Sequence, residues 1–459
     1  MSRAELEHLS REELLVLILK QADLIAALQK EVEALQLKVE KLQKPPPTSK
    51  NSGQPPSRDQ KPGKLVNRPK RKHGPAKGHA KYERQFVAEP DHLVELKAVQ
   101  CGVCHAGLDG QEGHLVDVNQ IVEIPPAKAE VIEVRQYAVA CPTCGHLEIQ
   151  PAPEGLELNR TFGTRLETTA TYYRQEQHMS YERTEQALWA LHGVEISQGG
   201  LDQVMQRSGK RAQAAVPELQ ATVQTSKVVN SDETGTRIDG QKAWEWVFCT
   251  NTAILHVIKF SRGQKVIQEV MGNHQVEVWG SDCLPAQLNA PALRRQLCLA
   301  HQLRNLQAVV DRYPEALWPR AMQALFRYAI HLSHQYYQLS LNQYQAEVLR
   351  LGVLFRFLLA RNVPQPEARK LQRRYQKHRA HLFVFLCRQD VAPTNNVSER
   401  ALRHSVVHNK VGRGFRSTWG AEAYAALASV IDTAALKGQN AFEAIQNLLG
   451  PPALPLAVG

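Results

Sequence analysis

Two short stretches share one pattern that constrains the fold more than anything else in the chain. From Lys227 to Gly235 (KVVNSDETG) a β-branched run stops at two adjacent carboxylates, Asp232 and Glu233. From Val276 to Ala286 (VEVWGSDCLPA) alternating apolar residues again end in Ser-Asp, at Asp282. Each reads as a strand delivering an acid. A third acid, Glu399, opens the cation-rich helical stretch PTNNVSERALRHSVVHNK. Three acids from separate elements suit a pair of hard divalent ions, because Mg²⁺ prefers carboxylate oxygen, keeps several waters and works beside substrate phosphates. Phosphodiester chemistry is therefore expected. Plainer readings stand beside it: Asp232 and Asp282 as turn-formers at strand ends, and Glu399 as the closing residue of a capping box with Asn396 as N-cap.

After the strand that starts near Ser226, strands are expected at Ala243 to Thr250, Ala253 to Phe260 and Val276 to Gly280, with a helical connection from about Gln264. Acids on the first and fourth strands suit a mixed sheet flanked by helices, within a multidomain α/β chain. Helical patterns at Leu293 to Val310, Ala321 to Leu339 and Gln343 to Leu359 predict a helical insertion, about residues 290–390, between the second and third acids. At 459 residues the chain exceeds what one core requires, and two to four domains are expected.

Cys101-x-x-Cys104 and Cys141-x-x-Cys144 have the spacing of two knuckles that together complete one tetrahedral structural Zn²⁺ site, within a module of residues 91–150. The interval between them has room for a hairpin over Asp117 to Ala140, bent at Pro125 and Pro126. Redox-active or simply buried cysteines are the alternative, and His105 and His146 lie close enough to be substitute ligands. Eight cysteines are too few for a disulfide scaffold in a chain of this length, and the first residues are charged, which points to the cytoplasm. The most apolar later segment, Val348 to Ala360, is interrupted by Arg350 and Arg356 and is too short to span a bilayer, so no membrane role is expected.

The amino terminus carries heptads from Leu14 to Leu42, with Ile18, Ile25, Val32 and Val39 at one seam position, Leu14, Leu28, Leu35 and Leu42 at the other, and Gln21 as the exception. β-branched residues at a with Leu at d favour a parallel two-stranded coiled coil over residues 1–43, hence a homo-oligomer. A helix folded back on its own protein accounts for the same pattern. Residues 44–90 read as a basic, Pro- and Gly-rich linker whose cluster Lys70, Arg71 and Lys72 can track phosphates; the net charge of +11 favours a polyanionic partner. Residues 155–222 read as helices, notably Ser180 to His192 and Gln198 to Gly209, parted by Gly193 and capped at Ser197. That spacing resembles a helix-turn-helix, with Gln198 and Gln203 facing a groove, although helical hairpins are also common packing units.

The SDET and GSDC stretches, the C-x-A-H segment from Cys298 to His301, and NNVSER followed by Lys410 together resemble the transposases of the insertion-sequence-66 family. The likeness covers almost the whole chain, including the leucine-rich amino terminus, the double Cys-x-x-Cys region and a helical tail over residues 423–459. Gly235 after SDET and Leu299 within C-x-A-H depart from the usual family residues without touching the acids. The resemblance implies an RNase H-like catalytic domain over residues 226–422 with Asp232, Asp282 and Glu399 as a DDE triad holding two Mg²⁺ or Mn²⁺ ions. It also implies action on insertion-sequence ends and target DNA, near the nucleoid, and two small accessory proteins as partners. Arg400, Arg403, Lys410, Arg413 and Arg416 lie close in sequence to Glu399 and can clamp phosphates, and His301 and Arg304 are expected beside the DNA. Cys298 and His301 alone offer too few ligands for a third metal. A nuclease that cuts without joining, and a zinc-containing DNA-binding regulator with an inactive catalytic fold, are the competing functions.

Overall fold

A computed structural model of the chain describes residues 21, 25, 27–32, 48–52, 84–125, 127–152, 155–158 and 160–450. Most of the expected coiled coil, and Lys70, Arg71 and Lys72, lie outside the described residues. The protein is a mixed α/β chain built around a mixed sheet with many helices.

Five strands form that sheet: β3 (Val228–Ile238), β4 (Gln241–Cys249), β5 (Ile254–Lys259), β6 (Val276–Ser281) and β7 (Ala292–Leu297), in the order β5-β4-β3-β6-β7. β3 and β4 are a hairpin joined by Asp239 and Gly240, both at positive φ, the two-residue turn whose twist matches antiparallel strands. β6 runs parallel to β3 and β7 parallel to β6. Residues alternate faces along β4: Trp246 and Phe248 pack with Val229, Leu255 and Trp279 against α4 (Gln264–Met271), while Val247 and Cys249 pack on the other face against α10 (Asn396–Gly412).

Ahead of the sheet stand α1 (Thr164–Gln175), α2 (Tyr181–His192) and α3 (Gln198–Thr225). Ser180 and Ser197 cap α2 and α3 by accepting the N–H groups of Arg183 and Gly200, and Gly193 ends α2 in the left-handed conformation. The last of these helices does not stop near Gly209; it runs for 28 residues. It continues because Gly209 is a contact and not a terminator. A Cβ there would lie 2.5 Å from the Ala423 Cβ of α11 (Thr418–Leu436), so the glycine permits the close crossing of two helices.

Position 423 therefore lies inside a helix that belongs to the fold. α11 packs along both α3 and the edge strand β5. It satisfies that edge with side chains, Thr433 Oγ1 accepting from Ile254 N–H (2.9 Å) and Ser429 Oγ from His256 N–H (2.8 Å). α12 (Ala441–Leu449) then closes on α1 and α11.

The short α5 (Pro285–Leu288) precedes β7; between β7 and α10 lie α6 (Leu299–Arg312), α7 (Leu317–His334), α8 (Leu341–Ala360) and α9 (Pro366–Lys377), which share a core around Phe326, Phe355 and Tyr375. Helices do fill this stretch, with one correction to the expected elements. Leu293 to Leu297 is strand, not helix: it pairs with β6 and runs straight into α6 at Cys298, so one apolar pattern covered two elements. The hairpin expected over Asp117 to Ala140 is absent as well. Residues 111–125 and 127–137 carry no strand, and Leu115, Val116, Ile121 and Val131 are exposed, leaving no face to pack. A small hairpin instead flanks the second knuckle, β1 (Ala138–Ala140) with β2 (Leu147–Ile149).

Candidate active site

The strand register brings the first two acids together. Asn230 pairs with Gly280 across the parallel β3–β6 contact, so Asp232 and Asp282 each stand two residues beyond matched positions on neighbouring strands. The approach is close: a Cβ on Gly280 would lie 2.1 Å from Asn230 Oδ1. Asp232 is opposite Val247, whose face packs against Val397, Ala401 and Leu402 of α10, the helix that carries Glu399.

Asp232 feels the other two carboxylates. Asp232 is pushed up to about 8, chiefly by burial and then by the carboxylates of Glu233, Asp282 and Glu399, despite accepting the Glu233 N–H. A hard cation fits such a cluster, since it supplies the opposite charge that crowded, half-dry carboxylates lack. Asp282 Oδ1 is held by the Leu284 N–H (2.7 Å). Glu399 Oε1 accepts from Arg304 Nη2 (3.0 Å) and lies 3.7 Å from His301 Nδ1. The expected capping box does not form. Asn395, not Asn396, is the N-cap, it makes no side-chain cap bond, and Glu399 is one position too deep, its carboxylate turned to Arg304.

Several residues that sequence reasoning passed over hold this arrangement. Gln287, fully buried on α5 just after Asp282, accepts from Trp279 Nε1 (2.9 Å) and donates to Ser231 Oγ (3.3 Å) and Glu233 Oε2 (3.0 Å), pinning the ends of β3 and β6. Glu233 is thereby held by Gln287 and is also gripped by Arg262 (2.8 Å), which stacks on Trp244. Asn395 does the same for the third acid. Its Nδ2 donates to Ser231 O (2.8 Å), and its N–H reaches Cys298 Sγ (3.2 Å). Cys298 in turn gives its N–H to Ser281 O (2.8 Å). The main chain beside Asp232, the main chain beside Asp282 and the start of α10 are thus tied through Cys298 and Asn395.

The other expected residues are more dispersed. Arg400, Arg403 and Lys410 are exposed at i, i+3 and i+10 on α10, one stripe of the helix. Arg413, at φ 57°, ends that helix, and the chain then locks onto β3, Phe415 N–H donating to Arg237 O (2.8 Å); Arg413 and Arg416 are exposed there. Gln198 and Gln203 are exposed on the first turns of α3. Arg304 is drawn to Glu399, so its cation serves the acid.

Each Cys-x-x-Cys pair forms a knuckle of the same shape. Cys101 N–H bonds Ala106 O and Cys141 N–H bonds His146 O, with His105 and Gly145 at positive φ completing the turns. Backbone N–H groups of Cys104 and Val103 aim at Cys101, and those of Cys144 and Thr143 at Cys141, pulling both thiols below their ordinary range. Thiolates in such turns fit a Zn²⁺ ion. Neither the four sulfurs nor the three acids Asp232, Asp282 and Glu399 are gathered to ligand spacing, however: among the described residues, the single group of three or more ligand atoms mutually within 4.8 Å is Cys298, His301 and Glu399. Among those residues, too, no helix is long and apolar enough to cross a membrane.

Comparison with known proteins adds family to geometry. Residues 100–145, which contain the two knuckles, match the zinc-finger binding domain of transposase IS66. Residues 160–423, more than half of the chain and including all three acids, match the family described as Transposase IS66 family, whose model is that of a DDE transposase. A search of curated proteins finds no match. With both parts matched in their expected order, the chain belongs to the IS66 transposase family.

Proposed function

We propose that the protein is a DNA transposase that binds the ends of its insertion sequence and carries out strand cleavage and strand transfer at Asp232, Asp282 and Glu399. The observation that carries this reading is the register of β3 and β6, which sets two acids side by side beneath the helix bearing the third. An antiparallel β5-β4-β3 meander extended by parallel β6 and β7, with helices on both faces, supports an RNase H-like catalytic domain.

Asp232, Asp282 and Glu399 would hold two Mg²⁺ or Mn²⁺ ions, which when bound activate the attacking oxygen and stabilise the leaving 3′-oxygen of an in-line displacement. The chain's own residues do the positioning. Gln287 and Asn395 fix the spacing of the strands and of α10, so the acids pay little reorganisation at the moment of reaction. Arg304 restrains Glu399. Arg400, Arg403 and Lys410 present a cationic stripe to the DNA backbone, with Arg413 and Arg416 extending it past the helix end. Nicking and joining then differ only in the nucleophile, water or a terminal 3′-hydroxyl.

The test is the purified chain with a labelled duplex of the element end and Mg²⁺ or Mn²⁺, scored for nicking and for joining. Nicking with joining is expected. Nicking alone would make the protein a nuclease, and neither, with DNA bound, a regulator.

Ile25, Leu28 and Val32, seam residues of the amino-terminal heptads, are all exposed, which supports a partner helix from a second copy. The knuckles would hold the structural Zn²⁺. Metal analysis is expected to find about one zinc per chain, lost when Cys101 and Cys104, or Cys141 and Cys144, are replaced by Ser. A zinc-free native protein that stays folded and binds DNA would remove that assignment.

A further inference from the structure

Cys298, His301 and Glu399 come from two distant parts of the sequence, yet one ligand atom of each lies within 4.8 Å of the others. Their chemistry differs from that of the acid triad. A sulfur, an imidazole nitrogen and one carboxylate oxygen are a poor set for Mg²⁺, which takes oxygen ligands, and a good one for Zn²⁺ or Co²⁺. Three protein ligands also leave a fourth position for water.

Arg304 Nη2 already holds Glu399 Oε1 (3.0 Å), so a bound ion must take the place of that guanidinium or use the other carboxylate oxygen. Burial pushes the Cys298 thiol above its ordinary range, and its place as N-cap of α6 with the Asn395 N–H reaching Sγ offsets only part of that, so it is the bound cation that would supply the missing counter-charge. His301 Nδ1 is buried, has no hydrogen-bond partner among the described residues, and lies 3.7 Å from Glu399 Oε1. A buried ring nitrogen left unpaired carries a desolvation cost that coordination removes.

We propose that Cys298, His301 and Glu399 form a separate site for a borderline divalent ion such as Zn²⁺, and that its occupancy withdraws Glu399 from the acid triad. The binding site stands on its own geometry; its inhibitory consequence rests on the transposase reading. With Glu399 committed to Cys298 and His301, two acids remain for the hard ions, and Mg²⁺-supported cleavage stops. Zinc then acts at two places in one chain, as a structural ion at the knuckles and as an inhibitor at the catalytic centre.

The experiment titrates Co²⁺ into the full chain with its knuckles already zinc-loaded. A sulfur-to-cobalt charge-transfer band is expected in the wild type, its midpoint moved to higher Co²⁺ by excess Mg²⁺ that competes for Glu399, and absent in Cys298→Ser. Serine can still accept the Asn395 N–H, and circular dichroism checks that the variant is folded. His301→Ala and Glu399→Gln are expected to weaken Co²⁺ binding at least about tenfold, because even removing a ligand's own hydrogen-bond partner costs roughly 10–100-fold. The same His301→Ala change is expected to raise the Zn²⁺ concentration that halves nicking by a similar factor, each variant being scaled to its own Mg²⁺ rate. No thiolate band, or one that survives Cys298→Ser, overturns the site. An unchanged Co²⁺ affinity in Glu399→Gln, or nicking insensitive to Zn²⁺, overturns the competition. A normal band in a protein that never nicks DNA upholds the site and sinks the transposase reading instead.

Discussion

Asp232→Asn, Asp282→Asn and Glu399→Gln are each expected to lower strand cleavage by about 1,000-fold or more while leaving binding to the element end nearly unchanged. The size follows from the chemistry: metal ions contribute several kcal/mol of transition-state stabilisation, and each 1.36 kcal/mol is a factor of ten. An amide in place of a carboxylate keeps the shape but is a poor ligand for a hard ion. Gel shifts with the labelled end, run beside nicking assays in Mg²⁺ and Mn²⁺, separate lost chemistry from lost binding. Glu399→Gln is the most informative of the three. Glu399 closes no capping box, so a glutamine there leaves the start of α10 intact, and what it loses is charge toward Arg304 and the metal site. Near-normal cleavage by any one variant would remove that residue from the triad. Glu233→Gln is the matching control for position. Its carboxylate is committed to Gln287 and Arg262, so its loss should disturb the spacing of β3 and β6 without removing a ligand.

The acids themselves were legible because each ends or opens an element with a strong local signature. β-branched alternation marks β3 and β6, and the polar NNVSER run marks the start of α10. Pairing was not legible. That Asn230 sits beside Gly280, and so Asp232 beside Asp282, depends on a parallel contact between strands separated by two others and a helix. Nor could a single sequence reveal that Gln287, Asn395 and Cys298 bind these elements together, because a buried Gln or Asn has no pattern until its partners are in space. β7 failed for a different reason: its exposed Leu293 and Arg294 and buried Gln296 and Leu297 have neither clean alternation nor a turn before α6. Glu399, the third member of the Cys298–His301 group, was hidden by the helices that separate it from them in sequence.

The same limit hid the most heavily buried charge in the fold, on which the second large effect depends. His256 on β5 and Glu245 on β4 are both buried; His256 Nδ1 meets Glu245 Oε1 (2.9 Å) and Nε2 meets Asp432 Oδ2 of α11 (2.9 Å). Ser405 of α10 donates to the same Glu245 oxygen (2.6 Å), and Tyr424 of α11 donates to Ser405 (3.3 Å). One imidazolium thus joins the sheet to both helices on the Glu399 side. Burial alone would favour the neutral ring, but hydrogen bonds to Asp432 and Glu245, reinforced by their charges, raise His256 to about 9. A group raised above its unfolded value of about 6.5 contributes its full stability below that pH and loses it as pH rises through the folded value. The shift corresponds to about 3 kcal/mol. His256→Ala leaves Glu245 buried without its counter-charge and is expected to cost about 3–5 kcal/mol, seen as a fall in Tm of roughly 10 °C. Wild-type Tm should drop as pH passes through about 9, and that drop should vanish in the variant. Replacing Glu245 and His256 together by Leu removes both charges and should be milder than His256→Ala alone. A wild-type Tm flat across this pH range, or a single variant that costs under about 1 kcal/mol, would mean that the apolar packing of α10 and α11, and not the buried ion pair, holds the helix of Glu399 against the sheet.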